Sequence, residues 1–285
     1  MPLTVVAIWR YPLKSGRGER LESAVVERLG LAGDRRWMVV DRAGQSVTAR
    51  EHPRLLLVDA TQEGEGLRLT AAGHGSVLAE PAAERAAVRV HSNGPLDAGL
   101  AAPEADEWLS EWVGADVRLA RADRGTRRVL DPSFTRPGDS TGFADAYPVL
   151  AATEASLGRV NEWIAGGPLA AEGPLDMRRF RPNVVIAGGE PFDEDRWRRI
   201  RIGAAAFRSP KGSARCVMTT TDPDTAARGK EPLATLARHR RWDGKTWFGM
   251  NLVPDTLDAV IRVGDEVEVI EAVESADGPP RPDAA

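Results

Sequence analysis

The residue with the most distinctive chemistry in this sequence is Cys216, the only cysteine among 285 residues. It lies in the segment SPKGSARCVMTTTDPDT, where Lys211 and Arg215 stand close to it. Nearby cations favour the thiolate, which is the form of cysteine that attacks electrophiles or binds a soft metal. The segment therefore predicts either such a thiolate or a small buried core residue, which is the commoner use of a lone cysteine.

Three other short segments present basic or amide side chains at the ends of apolar runs. Lys14 and Ser15, in PLKSG, suit a phosphate by charge and hydrogen bonding, although a solvated turn explains this segment alone more simply. Arg35, in GDRRW, either pairs with a neighbouring acid or points its planar guanidinium at an anion. Arg181 and Asn183, in FRPN, either reach one ligand together or belong to a structural turn.

The sequence lacks the patterns of several common sites. No HExxH, CxxC, EF-hand, P-loop, GxSxG or complete GxGxxG motif occurs, and the four histidines share no metal-ligand spacing. A single cysteine also excludes an intrachain disulfide and an iron–sulfur cluster bound by cysteines. Any internal electron relay would therefore need a flavin or another bound cofactor.

Charge and hydropathy indicate which partners to expect. The chain carries 38 Lys and Arg against 42 Asp and Glu, a net charge of −4, so we expect no nucleic acid polymer as a partner. No apolar stretch approaches the roughly 18 residues that a membrane helix needs. The first apolar run, residues 3–9, is too short and too strand-like for the core of a signal peptide. We therefore expect a cytoplasmic protein without a membrane partner.

The elements that would position these residues are mostly short strands. β-branched runs separated by Gly, Asp and Pro fill the first hundred residues and the last third, which is typical of a barrel or sandwich. We predict strands at 4–11, 24–28, 36–41, 46–48, 55–60, 67–70, 88–91, 183–187, 198–202, 205–208, 215–220, 248–253, 259–263 and 266–270. Helices are predicted at 103–113, at 232–240 and from an N-cap at Thr153 to the Gly166-Gly167-Pro168 stop, with a long loop at 123–142.

The predicted fold is mostly β with some α, of the α+β class. We expect two parts, residues 1–95 with many short strands in a barrel or sandwich and residues 96–273 with strands and a few helices. The polar stretch 274–285, ESADGPPRPDAA, cannot bury apolar surface and is predicted to be a disordered tail.

Taken together, these segments resemble the MOSC-domain proteins that begin with an N-terminal MOSC β-barrel, the group of the amidoxime-reducing components and their bacterial relatives. The N-terminal part of the resemblance rests on YPLKS, GDRRWMVVD and TAREHPRL. The C-terminal part rests on FADAYPVLAATEASL, FRPNVVI, RCVMTTTDPDT and KEPLATL. The resemblance covers nearly the whole chain and implies a MOSC N-terminal domain at 1–95 and a MOSC domain at 96–273.

The resemblance implies a cofactor and a site. The residue that matches Cys216 in this family binds the molybdenum of a molybdopterin cofactor, which makes Cys216 both the predicted metal ligand and a catalytic residue. The resemblance also implies that the pterin and its phosphate are held by Lys14, Ser15, Arg35, Arg181 and Asn183. Arg215, beside the cysteine, is predicted to join them, and Asp145 is the candidate for a second catalytic residue.

The chain departs from the family pattern at three positions. The amidoxime-reducing enzymes carry small hydroxyl residues where Ala146 and Tyr147 follow Asp145 here, and Ala214 stands where a serine contact is expected. Hydroxyl contacts from these positions therefore cannot be carried over. These changes affect a specific substrate more than they affect binding of the cofactor.

The predicted function is that of a molybdenum-cofactor oxidoreductase that reduces small N-hydroxylated compounds. Because the sequence shows no second redox motif, electrons are expected from a separate reductase or ferredoxin. The alternative is a carrier of sulfur or of molybdenum cofactor that uses Cys216. A third hypothesis is a β-rich binding module in which Cys216 is a packed core residue.

Overall fold

A computed structural model describes residues 2–123, 125–274 and 278–280. Its strands are β1 (Thr4–Arg10), β2 (Glu19–Leu21), β3 (Ser23–Glu27), β4 (Gly30–Leu31), β5 (Trp37–Asp41), β6 (Asp59–Glu63), β7 (Gly66–Ala71), β8 (Gly75–Ala79), β9 (Pro81–Val88), β10 (Leu96–Ala101), β11 (Val117–Arg121), β12 (Arg128–Val129), β13 (Ser140–Thr141), β14 (Val149–Thr153), β15 (Val184–Ala187), β16 (Trp197–Ile202), β17 (Ala205–Arg215), β18 (Arg241–Trp242), β19 (Lys245–Pro254), β20 (Val260–Arg262) and β21 (Val267–Ala272). Its α-helices are α1 (Pro103–Val113), α2 (Glu154–Ala165) and α3 (Leu233–His239). The mostly β character with a few helices confirms the predicted fold class.

The largest sheet contains strands from both ends of the chain. Its order is β2-β1-β15-β14-β19-β17-β16-β21, with β18 paired to β19. β1 is antiparallel to β15, whereas β14 and β15 are parallel. The N-terminal strand is therefore an interior member of a sheet made mostly from the second half of the chain.

A four-stranded sheet in the order β5-β11-β10-β9 forms the centre of the first half, and the hairpin strands β6, β7 and β8 make a separate three-stranded sheet. Helix α1 packs its Leu109 and Trp112 into one core together with Trp37, Leu55 and Leu69. A second core lies on the large sheet. Such cores form because each sheet has one apolar face, which it must bury against another element.

The predicted helices are confirmed. Helix α1 spans the predicted residues, and α3 falls short of the predicted range by one residue at each end. Thr153 caps α2, because its side chain accepts a hydrogen bond from the backbone N–H of Ser156. Since such a cap satisfies an otherwise unpaired amide, a Thr before an apolar periodicity is a dependable helix signal.

Several strand predictions are wrong at their ends. Residues 53–57 form a 3-10 helix that begins at Pro53, and strand β6 starts only at Asp59. Leu55 and Leu56 are both buried, which two successive positions of an amphipathic strand do not allow. Of the predicted strand at 46–48, only a single bridge at Ser46 is present.

The predicted strand at 215–220 is also wrong. β17 ends at Arg215, and residues 217–220 form a 3-10 helix. The hydroxyl of Thr219 donates to the carbonyl of Cys216 at 3.0 Å, and that of Thr220 donates to the carbonyl of Val217 at 2.9 Å. Such local bonds from Thr side chains compete with sheet pairing. The sequence analysis did not predict strands β10, β11 and β14, because Ala and Gly weaken their apolar pattern.

The predicted domain boundary after residue 95 remains a prediction, and β-sheet pairing crosses it at several places. β1 pairs with β15, and β5 pairs with β11. The predicted disordered tail at 274–285 also remains a prediction. Within it, the carbonyl of Pro280 accepts a hydrogen bond from the amide of Gly212 at 2.9 Å, and residues 275–277 and 281–285 lie outside the described residues. None of the helices in the described part of the chain is long and apolar enough to span a membrane.

Candidate functional site

A cavity of about 310 Å³ opens beside Cys216. All eight residues that the sequence analysis selected for a site line it: Lys14, Ser15, Arg35, Asp145, Arg181, Asn183, Arg215 and Cys216. They come from positions as far apart as 14 and 216, so the fold brings together segments that are distant in sequence. We call this space the thiol cavity.

Lys14 is held beneath the cavity by its backbone and by its side chain. Its amide donates to the carbonyl of Trp37 at 2.7 Å, which attaches the segment after β1 to β5. Its buried ammonium donates to the carbonyl of Phe143 at 2.9 Å and forms an ion pair with Asp145. Burial lowers the pKa of Lys14 to about 8, although the charge of Asp145 opposes this. Ser15 lies beside it at the cavity wall.

Arg35, Arg181 and Asn183 form one hydrogen-bonded group. The guanidinium of Arg35 donates to Asn183 Oδ1 at 2.8 Å and to the carbonyl of Arg181 at 3.0 Å. Both guanidinium groups lie over the ring of Tyr11, at 4.5 Å for Arg35 and 4.2 Å for Arg181. Burial lowers the pKa of Arg181 to about 10, which shows that this cation lacks a full counter-charge.

Cys216 follows directly after β17 and is half-buried. The neighbouring Arg215 donates to the carbonyl of Phe180 and to Ser213 Oγ, both at 2.6 Å. Its Nε is buried without a hydrogen-bond partner among the described residues. Burial also lowers the pKa of Arg215 to about 10. Arg215 therefore has both an unpaired buried donor and a charge without a counter-charge. An anionic ligand would satisfy both.

Two residues that the sequence analysis missed complete the surroundings of the thiol. Arg50 donates from Nη2 to Cys216 Sγ at 3.4 Å and to Asp145 Oδ2 at 3.1 Å. His91 Nε2 lies 3.2 Å from Asp145 Oδ1 and 3.3 Å from Arg50 Nη1. Arg50 belongs to the TAREHPRL segment on which the resemblance partly rests, and its place in that segment was the only available signal. Nothing around His91 in the sequence distinguishes it from a turn residue.

Asp145 is the point where these cations meet. Its carboxylate contacts Lys14, Arg50 and His91. Desolvation opposes its ionisation, but the charges of Lys14 and Arg50 and the hydrogen bond from His91 outweigh it and hold the pKa of Asp145 well below its usual range. Asp145 is therefore a carboxylate at neutral pH.

The charge of the thiol cavity is strongly positive. Eight cationic side chains line it: Lys14, Arg35, Arg50, Arg179, Arg181, Lys211, Arg215 and Lys245. Asp145 is the single carboxylate among the lining residues. A low-dielectric cavity with this imbalance concentrates anions. The residues present fit an anionic, phosphate-bearing pterin, because they supply cations and an unpaired buried donor on one side and a single thiol for the metal.

Cys216 would be a lone protein ligand. Within residues 2–123, 125–274 and 278–280, no cluster of three or more His, Cys, Asp or Glu side chains could hold a metal ion. A metal bound through Cys216 would therefore bring its remaining ligands with it, as a metal held by the dithiolene sulfurs of a pterin does.

The fold and the thiol cavity define a protein of the MOSC class. The MOSC N-terminal beta barrel domain matches residues 2–116, and the MOSC domain matches residues 138–268. Mitochondrial amidoxime-reducing component 1 of Homo sapiens is 31% identical over 94% of this chain and 83% of its own length. Component 1 of Danio rerio is 34% identical over 82% of this chain and 74% of its own length.

Component 2 of Bos taurus is 31% identical over 93% of this chain and 82% of its own length. The chain therefore belongs to the family of two-part MOSC proteins that includes the mitochondrial amidoxime-reducing components. This confirms the family that the sequence segments indicated.

Proposed function

We propose that this chain is a molybdenum-cofactor oxidoreductase that reduces N-hydroxylated compounds with electrons from a separate reductase or ferredoxin. The observation that carries the proposal is the thiol cavity, in which one cysteine stands among eight cations and one carboxylate. MOSC domains are associated with molybdenum cofactor, and the names of the relatives state reduction of amidoximes. The same site and the same reaction class are therefore supported by two independent kinds of observation.

The residues that would hold the cofactor fall into three chemical kinds: a thiolate, cations and neutral polar groups. Cys216 would supply the thiolate that binds molybdenum. Lys14 and Arg35 would neutralise the phosphate, with Arg181 and Arg215 as further cations, while Ser15 and Asn183 would offer polar contacts. Arg215 Nε, which has no hydrogen-bond partner among the described residues, would be available to an acceptor on the cofactor. Each of these groups lies on the wall of one cavity, which is the positioning that a protein contributes to cofactor chemistry.

The reaction requires two electrons and two protons for each N-hydroxylated substrate, because the N–O bond breaks and an amine and water form. The cofactor supplies the two-electron chemistry when it is bound. Asp145 would act as a carboxylate that orients Lys14, Arg50 and His91, and not as a proton donor, since its pKa is held well below neutral. Its role would therefore be to position these three side chains on the wall of the cavity.

The experiment that tests this proposal compares the intact chain with Cys216→Ser, both produced in cells that make molybdopterin. Molybdenum is measured by elemental analysis and pterin by the fluorescence of its oxidised form. We expect near-stoichiometric metal in the wild type and loss of metal in Cys216→Ser. Val217, the exposed residue after Cys216, provides a matched control. Val217→Ser leaves the thiol in place and should retain the metal.

The reaction class is then tested by the reduction of benzamidoxime to benzamidine with an artificial one-electron donor. Turnover by the loaded wild type and none by Cys216→Ser is the expected result. Cleanly folded protein without metal in either form would support the alternative carrier of sulfur or cofactor. Turnover with NADPH alone would contradict the separate electron donor.

A further inference from the structure

Two of the eight cations in the thiol cavity have no polar side-chain contact among the described residues. Within the described residues, neither Lys211 nor Lys245 makes an ion pair or a side-chain hydrogen bond. The ammonium of Lys211 lies 4.2 Å above the ring of Phe134, which is a cation–π contact. Burial lowers the pKa of Lys211, the charge of Lys245 lowers it further, and Asp131 opposes this from beyond ion-pair distance. These two ammonium groups therefore repel each other, and no carboxylate at ion-pair distance among the described residues offsets the repulsion.

A buried hydroxyl on the same cavity also lacks a partner. Tyr147 lines the cavity and is only 8% exposed, and its Oη is buried with no hydrogen-bond partner among the described residues. The ring packs against Leu130, Val253 and the same Phe134 that supports Lys211. Burial raises the pKa of Tyr147 to about 12, so the hydroxyl keeps its proton and remains a donor. A buried donor left unpaired is costly unless a ligand accepts its hydrogen bond.

Lys211 and Lys245 are separate from Arg181 and Asn183, two of the residues assigned to the cofactor, although Arg215 ends the same strand that carries Lys211. Lys211 lies on β17, and Lys245 begins the adjacent β19. Asn183 and Arg181 stand at the start of β15, which β14 and β19 separate from β17. Three strand spacings amount to about 14 Å across the sheet. The thiol cavity therefore has a second group of donors on a different wall, with no anion to satisfy it.

We propose that Tyr147, Lys211 and Lys245 form a subsite for a carboxylate or phosphate group of the substrate, so that this chain prefers anionic N-hydroxylated compounds. This inference rests on the proposed function and names the substrate class of the same cavity. An anionic oxygen can accept the hydrogen bond of the phenol and also pair with both ammonium groups. A neutral substrate would leave all three uncompensated.

The test uses a pair of probes that differ only in charge, benzamidoxime and its para-carboxylate. Binding to the intact, cofactor-loaded protein is measured by calorimetry without any electron donor, and KM and kcat are measured with one. Lys211→Met and Tyr147→Phe remove one group of the subsite each while keeping its size. Lys230→Met is the matched control, because Lys230 is exposed and is the one lysine of the sequence outside the cavity.

We expect the wild type to bind the carboxylated probe at least about tenfold more tightly than the neutral one, which is the effect of one charge-assisted hydrogen bond. Lys211→Met should remove most of this preference by raising Kd and KM for the carboxylated probe alone, and Tyr147→Phe should reduce it. Pterin content and kcat should be unchanged. Lys230→Met should behave like the wild type.

Two results would overturn the subsite. Equal weakening for both probes, or none, would show that these residues do not recognise the anion. Loss of pterin in Lys211→Met would assign the lysines to the cofactor's own phosphate. A different result would contradict the proposed function. If the protein binds the carboxylated probe through Lys211 but contains no molybdenum, the subsite is supported and the redox function is not.

Discussion

Four residues at the thiol cavity have a left-handed backbone conformation although none is glycine. Ser15, Arg35, His91 and Arg181 have φ values of 68°, 46°, 54° and 55°. Such conformations cost about 1–3 kcal/mol each and persist only where the surroundings determine them. Around Arg35 the determinants are visible, since its amide donates to the carbonyl of Tyr11 at 2.8 Å and its side chain to three neighbours. The strain is concentrated where the backbone must aim cations at one point.

Lys14 gives the cavity a pH dependence in its affinity for anions. Its pKa is lowered by burial to about 8, so it is protonated below that pH and neutral above it. Because the protonated form binds anions, affinity must fall as the pH rises through 8. We expect the cofactor-free protein to bind sulfate, whose charge is constant over this range, about tenfold more weakly at pH 9.5 than at pH 6.5, as measured by calorimetry.

Lys14→Gln is the control for this effect. The variant should bind sulfate weakly at both pH values, with most of the pH dependence removed, because Arg35 and Arg50 stay charged throughout. A wild-type affinity that does not change between pH 6.5 and 9.5 would show that Lys14 does not face the anion.

At the scale of elements, strand β17 does most to build the site. Its pairing with β19 shifts register twice, between Arg208 and Lys211 and between Gly212 and Ala214. An irregularity of this kind changes which face of the sheet the following side chains occupy. One strand therefore carries Lys211 and Gly212 to the cavity, and Arg215 and Cys216 reach the cavity at its end.

Gly212 allows residues 278–280 to cross β17. A Cβ on Gly212 would lie 2.4 Å from the Cβ of Pro279 and 3.2 Å from the ring of Trp247. We expect Gly212→Ala to destabilise the fold by about 1–3 kcal/mol, since overpacking forces one neighbour to move. Urea unfolding measures the loss, and faster hydrogen exchange of the amide of residue 212, which donates to the carbonyl of Pro280, would show that residues 278–280 moved.

Gly158, exposed on α2, is the matched control for this substitution. No neighbouring atom lies within 4 Å of a Cβ built there. Gly158→Ala should therefore stabilise the protein by up to about 1 kcal/mol, the difference in helix propensity. Equal effects of the two substitutions would contradict the contact at Pro279.

At the scale of the molecule, the cavity is shared between distant parts of the chain. Lys14, Arg35, Arg50 and His91 come from the first hundred residues, while Cys216 comes from the last third. β1 holds the two parts together, because it pairs with β15 through four residue pairs. The site therefore depends on a sheet that neither half completes alone.

A fragment of residues 96–285 tests this dependence. It lacks β1 and five of the residues that line the cavity, namely Lys14, Ser15, Arg35, Arg50 and His91, and it exposes the edge of β15. We expect it to aggregate and to bind no molybdenum, as judged by size-exclusion chromatography and elemental analysis. Production together with a fragment of residues 1–95 should restore part of the metal content. Stoichiometric metal in the 96–285 fragment by itself would contradict a shared site.

The sequence by itself determined the class of fold, the helices and the residues of the thiol cavity that stand in recognisable segments. Thr153 as a cap and the apolar spacing of α1 are local signals, and local physics decides them. Cys216, Lys14 and Arg181 were identified because their types and segments carry information without any knowledge of their neighbours.

Only the tertiary structure decided which other residues join them. Arg50 and His91 contact Asp145 across separations of 95 and 54 residues, and no local pattern encodes such contacts. The missing partners of Tyr147, Lys211 and Lys245 are likewise invisible in sequence, because a group is unpaired only with respect to everything packed around it. The 3-10 helix after Cys216 and the place of β1 in the large sheet were decided in the same way, by competition between local hydrogen bonds and long-range pairing.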